Sequence, residues 1–231
     1  MIRRTRPIMP AIARRASRGR VKKSYPRKPR DWQLLPIALT TSELRIGNWQ
    51  VMQRWETPIM KTLATEVTTN SGHILEVGFG MGISAREIIS NGCESYTVIE
   101  AHPEVAQHAR SWADGQPVPV KVIEGFWQDI ISEIPAQSYD GILFDTYPLS
   151  ATERHRNHFP FIPLAPRLLR PGGVLTLYSD ETLNFRREHL ALLLTYFDEV
   201  KLIKITGLRP PPDCEYWQEG TMVIPVAKVK C

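Results

Sequence analysis

The chain runs to 231 residues, 42% of them hydrophobic, which suffices for one domain with a proper core plus a tail. No apolar stretch approaches the ~20 residues of a membrane helix, no apolar secretory segment opens the chain, and Cys93, Cys214 and Cys231 are too scattered for a zinc site or disulfide framework. The net charge of +5 conceals a division, because residues 1–30 hold twelve of the 29 Lys and Arg and none of the 24 Asp and Glu, leaving 17 bases against 24 acids beyond them.

A soluble, cytoplasmic protein is therefore expected, with an acidic body suited to a cationic small molecule. The basic leader, residues 1–30, has the composition of a disordered segment and is compatible with nucleic-acid binding, an organelle transit peptide or an extension of no consequence. The domain proper is read as residues 31–231.

From Asp31 the composition becomes globular, with Trp32 and Leu34-Leu35 as lid candidates and Leu44 to Trp55 as an amphipathic approach to the core. Thr57-Pro58 reads as an N-cap followed by proline at the first helical position, with Ile59, Leu63 and Val67 on one face and Glu56 just outside the helix start. Next, His73-Ile74-Leu75-Glu76-Val77 runs into Gly78-Phe79-Gly80-Met81-Gly82, and a helical pattern begins at Ile83: a strand, a tight turn and a helix suited to a nucleotide-like ligand. The spacing G-x-G-x-G is weak alone. Glu76 beside that turn opposes a pyrophosphate and suits the sulfonium and amino groups of S-adenosylmethionine, and Glu100, closing the strand Tyr96 to Ile99, can take both ribose hydroxyls.

Further strands are expected at Val118 to Glu124, Gly141 to Phe144 and Val174 to Tyr178, with helices between most of them, and Arg170-Pro171-Gly172-Gly173 as a helix stop. This alternation predicts an α/β fold with a doubly wound, mostly parallel sheet. Val200 to Ile205 and Met222 to Val229 are expected as an antiparallel C-terminal strand pair. Asp145, directly after Gly141 to Phe144, should face the same crevice as the glycine turn, since ligands meet the carboxyl ends of such strands. A loop-capping Asp145 and a merely solvated Glu56 are the plainer alternatives.

Several segments together resemble the guanidinoacetate N-methyltransferase family: Met52-Gln53-Arg54-Trp55-Glu56-Thr57-Pro58, Leu75 to Met81, Gly125-Phe126-Trp127-Gln128-Asp129, Tyr139 to Ser150, and Leu169 to Thr176. The similarity runs from about Leu44 to the C-terminus, and Glu100-Ala101-His102-Pro103 is also similar to fungal-type arginine δ-N-methyltransferases. The resemblance implies a class I, Rossmann-like methyltransferase using S-adenosylmethionine. Glu100 would bind the ribose, Gly78 and Met81 the methionine end with Gly80, Gly82 and Met60 beside them, and Phe126-Trp127 the adenine. Glu56 and Asp145 would grip the guanidino group, Asp145 accepting a proton, while Trp32 matches an aromatic lid.

The chemistry fits those residue types. A guanidinium stays protonated far above pH 7 and is a poor nucleophile, so two carboxylates that fix its planar fork can localise charge away from the attacking nitrogen. One departure from the family stands out: after Thr176 a polar, uncharged stretch receives the substrate carboxylate there, whereas this chain reads Leu177-Tyr178-Ser179-Asp180-Glu181-Thr182. Two acids at that place predict a guanidino acceptor without the acetate group, arginine-derived or bearing an amine, with Asp180 and Glu181 as further substrate residues.

An alternative takes Asp145-Thr146-Tyr147-Pro148 as a relative of the D-P-P-Y motif of nucleic-acid amino-methyltransferases, coupled to the basic leader. The missing first proline and the acidic body argue against it, so nucleic acid is not the expected partner. A binding protein without turnover and a dehydrogenase are weaker still. His102, His155 and His158 are expected on the surface or in loops, and their spacing suggests no metal site.

Overall fold

The structure, a computed structural model, describes residues 25–230. Most of the basic leader (residues 1–24) and Cys231 fall outside that range. Within it, Tyr25 stacks on Trp49 with ring centroids 4.4 Å apart, and Arg30 pairs with Asp129 at 2.9 Å.

The strands are β1 (Ile37–Leu39), β2 (Glu43–Ile46), β3 (Trp49–Gln53), β4 (His73–Val77), β5 (Ser95–Glu100), β6 (Val120–Glu124), β7 (Tyr139–Phe144), β8 (Leu169–Leu177), β9 (Glu199–Thr206) and β10 (Thr221–Lys228). The helices are α1 (Thr57–Val67), α2 (Ile83–Asn91), α3 (Pro103–Ala113), α4 (Trp127–Ile130), α5 (Ala165–Leu168) and α6 (Arg187–Tyr196). Strands β1 to β3 form a small antiparallel sheet, and the rest form one sheet in the order β6-β5-β4-β7-β8-β10-β9. Pairings from β6 through β8 are parallel, and β10 runs antiparallel to both β8 and β9, giving the expected doubly wound sheet with its antiparallel C-terminal pair.

Side chains alternate between the two buried faces along the central strand β7. Leu143 joins a cluster with Ile59, Leu63 and Ile88 of α1 and α2, while Ile142 and Phe144 join Phe161, Leu168 and Leu193 on the opposite face. Ile142 and Leu143 are wholly buried, each contributing ~1.5–3 kcal/mol of transfer free energy. Two layers of helices thus clamp the sheet, and its carboxyl edge is left to the loops.

One local expectation takes a specific form and two need correction. Leu44 to Trp55 contains the hairpin β2–β3, because burial there has period two, with Leu44, Ile46, Gln50 and Met52 inward and Gly47 at φ +54° in the turn. Leu34 is 82% exposed and covers nothing, although its neighbour Leu35 packs on the core. Arg170-Pro171-Gly172-Gly173 lies inside β8, where the register against β7 slips: Tyr139 pairs with Leu169 but Gly141 pairs with Val174, so a bulge absorbs the turn.

Candidate active site

A cavity of about 1200 Å³ opens over the carboxyl ends of β4, β5, β7 and β8, and the β2–β3 hairpin and the loop before β10 complete its wall. It exceeds the ~300–1,000 Å³ usual for one small ligand, so a donor and an acceptor can share it. The sheet order places it: β4 and β7 are neighbours although three helices and two strands separate them in sequence, and such a reversal leaves a crevice.

At the end of β4, Gly78 and Gly80 form part of the wall with φ of +96° and +54°. Their missing Cβ atoms make room chiefly for protein. A Cβ on Gly78 would stand 1.9 Å from the Asp145 carbonyl oxygen, and one on Gly80 would stand 2.8 Å from Met52 Sδ. Gly82, expected beside the donor, is off the cavity wall. It takes φ +65° before α2, with the Phe79 ring packed where its Cβ would be.

Glu100, at the end of β5, lines the cavity. Its Oε2 accepts the Phe79 N–H and its Oε1 the His102 N–H, both at 2.8 Å, which fixes the carboxylate while leaving lone pairs free for a diol. Burial raises its pKa, and those backbone N–H groups oppose the rise. Glu100, the two-glycine turn and the partly aromatic stretch Gly125-Phe126-Trp127-Gln128 share this end of the wall, and the set fits an adenosyl group. Trp127 also packs edge-on against Phe144 and Phe161, so part of its ring belongs to the core.

Glu76, expected beside the donor, is off the cavity wall. It is wholly buried beneath the turn, where the Ser84 and Tyr96 hydroxyls both donate to its carboxylate. In β4 successive side chains alternate faces, and Glu76 falls on the α2 side. Burial lifts its pKa to about 8. Met60 is likewise wholly buried, and Met81 is buried with its N–H directed at Met52 Sδ at 3.3 Å, so neither forms the cavity wall.

Glu56 and Asp145 line the same cavity from distant parts of the sequence. Glu56 is buried at the start of α1. Its Oε1 accepts the Gln53 N–H at 2.8 Å and the Tyr216 hydroxyl at 2.5 Å. Asp145 is half-buried, anchored by its N–H to the Val77 carbonyl at 2.9 Å, and no side chain among the described residues engages its carboxylate. Burial, and next the charge of Asp145, push Glu56 up to about 8, while burial, and next the charge of Asp180, push Asp145 up to about 7.

Asp180 enters the cavity from the end of β8 with a left-handed backbone, φ +52°, and its Oδ2 meets His155 Nδ1 at 3.1 Å. Glu181 turns away instead. It is buried against Arg186 Nε at 2.6 Å and His189 Nδ1 at 3.1 Å. Burial alone would raise its pKa, but hydrogen bonds from His189 and Arg186 prevail and hold it low.

Sequence reasoning missed several wall residues. Tyr147 stacks on the buried Trp32 with centroids 5.4 Å apart and an 11° tilt, and Trp49 leans on Tyr147 at 6.2 Å, so Trp32 belongs to an aromatic wall. Tyr178 and Tyr216 flank Glu56. Tyr147 follows Asp145 closely enough in sequence to have been suspected, but no signal ties Tyr216 to Glu56 across 160 positions. The three histidines lie in loops, as expected, but His102 and His158 are buried there and His155 faces the cavity. Among the described residues no cluster of His, Cys, Asp or Glu could hold a metal ion, and no helix is long and apolar enough to cross a membrane.

The guanidinoacetate N-methyltransferase family model matches residues 36–230. Protein arginine N-methyltransferase 2 of Aspergillus fumigatus is 33% identical over 195 residues, covering 77% of this chain and 45% of that protein. Its Saccharomyces cerevisiae namesake is 33% identical over 153 residues, covering 62% and 35%. The chain thus spans between about a third and a half of the length of these curated relatives. Among solved structures, spermidine synthase from Thermotoga maritima superposes with a TM-score of 0.61 at 13% identity, covering 84% of this chain and 72% of that one. An O-methyltransferase from Bacillus cereus in complex with SAH gives 0.53 at 16% identity, covering 78% and 82%. At such identities the likeness is one of fold alone.

Proposed function

The chain belongs to the guanidinoacetate N-methyltransferase family, and we propose that it transfers a methyl group from S-adenosylmethionine to a guanidino nitrogen of a small molecule. The observation that carries this reading is the opening of Glu56 and Asp145 onto one cavity with Glu100, with no arginine among the described residues paired to any of the three.

Bound S-adenosylmethionine supplies an electrophilic methyl group on a sulfonium. Everything else falls to the chain's own residues. Glu100 holds the ribose hydroxyls, and the walls at Gly78, Gly80 and Phe126 receive the rest of the adenosyl and methionine moieties. Glu56 and Asp145 take the guanidinium between them, each accepting N–H bonds, and so fix which nitrogen faces the donor. Ion pairing makes loss of a proton before attack harder, so the proton leaves to Asp145 as the new N–C bond forms or just after. A carboxyl with a pKa near 7 suits that exchange at neutral pH. Orienting the nitrogen in line supplies much of the acceleration, since well-placed reactants reach effective molarities of ~10⁵–10⁸ M. The aromatic wall of Trp32, Trp49 and Tyr147 favours cations near its faces and excludes water.

The test is direct. Purified full-length chain should be stabilised against heat by S-adenosylhomocysteine and, given labelled S-adenosylmethionine, should label a guanidino compound from a panel. Labelling of RNA or DNA instead, or of nothing in the panel despite a clear stabilisation, overturns the reading.

A further inference from the structure

Asp180 is held in a left-handed backbone conformation, φ +52°. It is one of four residues other than glycine with positive φ among those described, and its partner His155, at φ +65°, is another. Left-handed backbone costs a non-glycine residue ~1–3 kcal/mol and persists only where the surroundings fix it. Here they do. Ser179 Oγ donates to the Val223 carbonyl at 2.5 Å, the Glu181 N–H returns to Ser179 Oγ at 3.1 Å, and the Val223 N–H meets the Glu181 carbonyl at 2.8 Å, pinning both flanks of Asp180 to β10. Arg186 then ties the two strained segments together, reaching Glu181 Oε1 with Nε and the His155 carbonyl, at 2.7 Å, with Nη2. The result turns the Asp180 carboxylate into the cavity.

A second observation lies beside it. The hydroxyl of Tyr178, another wall residue, is buried and makes no hydrogen bond of normal geometry among the described residues, although it leans toward Glu56. It sits among the charges of Glu56, Asp180 and Asp145, and an unpaired buried hydroxyl among carboxylates is one that a ligand's N–H can satisfy.

We propose that Asp180, oriented by His155 and Arg186, forms a subsite for a primary ammonium at the far end of the acceptor, so that the substrate class is guanidinoalkylamines and other guanidino compounds bearing an amine. The inference rests on the function proposed above. His155 engages only one oxygen of the carboxylate, and the other remains for the ligand. A carboxylate-ended acceptor would meet Asp180 as a like charge. The one Lys or Arg side chain on the wall among the described residues is Arg154, which is exposed and lies on the Tyr25 and Tyr147 side.

Three acceptors of matched length decide the matter: guanidinobutylamine, butylguanidine and guanidinobutanoate. The wild-type chain should turn over the amine with kcat/KM at least about tenfold above butylguanidine, the scale of one charged hydrogen bond, and guanidinobutanoate should be poorest. In Asp180→Asn, a residue that also tolerates left-handed backbone, the preference for the amine should shrink toward unity, chiefly through KM. Equal use of all three by the wild type, preference for guanidinobutanoate, or an amine preference that survives Asp180→Asn overturns the subsite. Failure to methylate any of the three despite stabilisation by S-adenosylhomocysteine counts instead against the guanidino reading on which the subsite rests.

Discussion

The carbonyl oxygen of Asp145 occupies the place a Cβ of Gly78 would take, 1.9 Å from that point, so the glycine turn and the candidate base interlock through backbone. The contact follows from topology, since β4 and β7 are adjacent and each ends one residue before its member of the pair. Gly78→Ala must therefore move one of the two strand ends as well as strain a backbone at φ +96°. We expect loss of stabilisation by S-adenosylhomocysteine and of methyl transfer together, with stability lower by ~1–3 kcal/mol. A variant that transfers methyl groups at the wild-type rate would show the interlock to be dispensable.

Asp145→Asn keeps the shape and the N–H to Val77 but removes the proton acceptor. Turnover should fall ~10²–10⁴-fold, the usual contribution of a placed base, while S-adenosylhomocysteine still raises Tm. In the wild type, kcat/KM should rise as pH climbs through about 7 to 8, because Asp145 and Glu56 must both ionise before the pair can hold a guanidinium. The variant's remaining limb should move to lower pH, since the charge of Asp145 no longer opposes ionisation of Glu56. A pH profile identical in the two proteins would detach the pair from the reaction.

Glu56→Gln separates function from stability. Burial, followed by the Asp145 charge, raises Glu56 to about 8 in the folded chain, far above its unfolded value near 4.3. The folded state then binds more protons than the unfolded one between those values, so stability falls as pH rises through that window and the penalty is complete above about 8. The ligand-free amide variant should lose less stability between pH 5 and 9 and melt higher than wild type at pH 9, at ~2–4 °C per kcal/mol for a chain of this size. Its kcat should nevertheless collapse. Parallel Tm curves for the two proteins would mean that the buried carboxyl carries no such penalty.

The sheet was legible because its strands are apolar runs flanked by glycines and helical patterns, and two faces of helices leave little freedom in how such runs pair. Glu56, Glu100 and Asp145 were legible because each sits at a boundary between elements, where the sequence marks a strand end or helix start. Glu76 sits at a similar boundary and misled: which face of β4 it occupies depends on Ser84 and Tyr96, and nothing within the motif reveals that the turn rests on a buried acid. Tyr216, His155 and the aim of Asp180 were illegible for a related reason. Their positions are set by loops tied down across long stretches of chain, through Arg186 and β10, and local periodicity carries no trace of such ties.

Glu76 also provides the sharpest contrast with Glu100, since both are buried acids within one residue of a parallel strand's end. Glu76 accepts from two hydroxyls under the turn, so Glu76→Ala would leave the Ser84 and Tyr96 hydroxyls unpaired around a void, at a cost of ~2–5 kcal/mol. Glu100→Gln keeps the volume but only one acceptor oxygen for the Phe79 and His102 N–H groups, so it should cost about 1–3 kcal/mol and also weaken the hold on a ribose. The expected pattern is a large fall in Tm without ligand for Glu76→Ala, with S-adenosylhomocysteine still producing a shift in whatever remains folded. For Glu100→Gln, Tm without ligand should fall less than for Glu76→Ala while the shift itself shrinks, corresponding to roughly tenfold or more in Kd. The reverse pattern, a Glu76 variant that folds normally but no longer responds to the ligand, would return Glu76 to the donor site and require the turn to open further than its packing against Met52 and Phe79 allows.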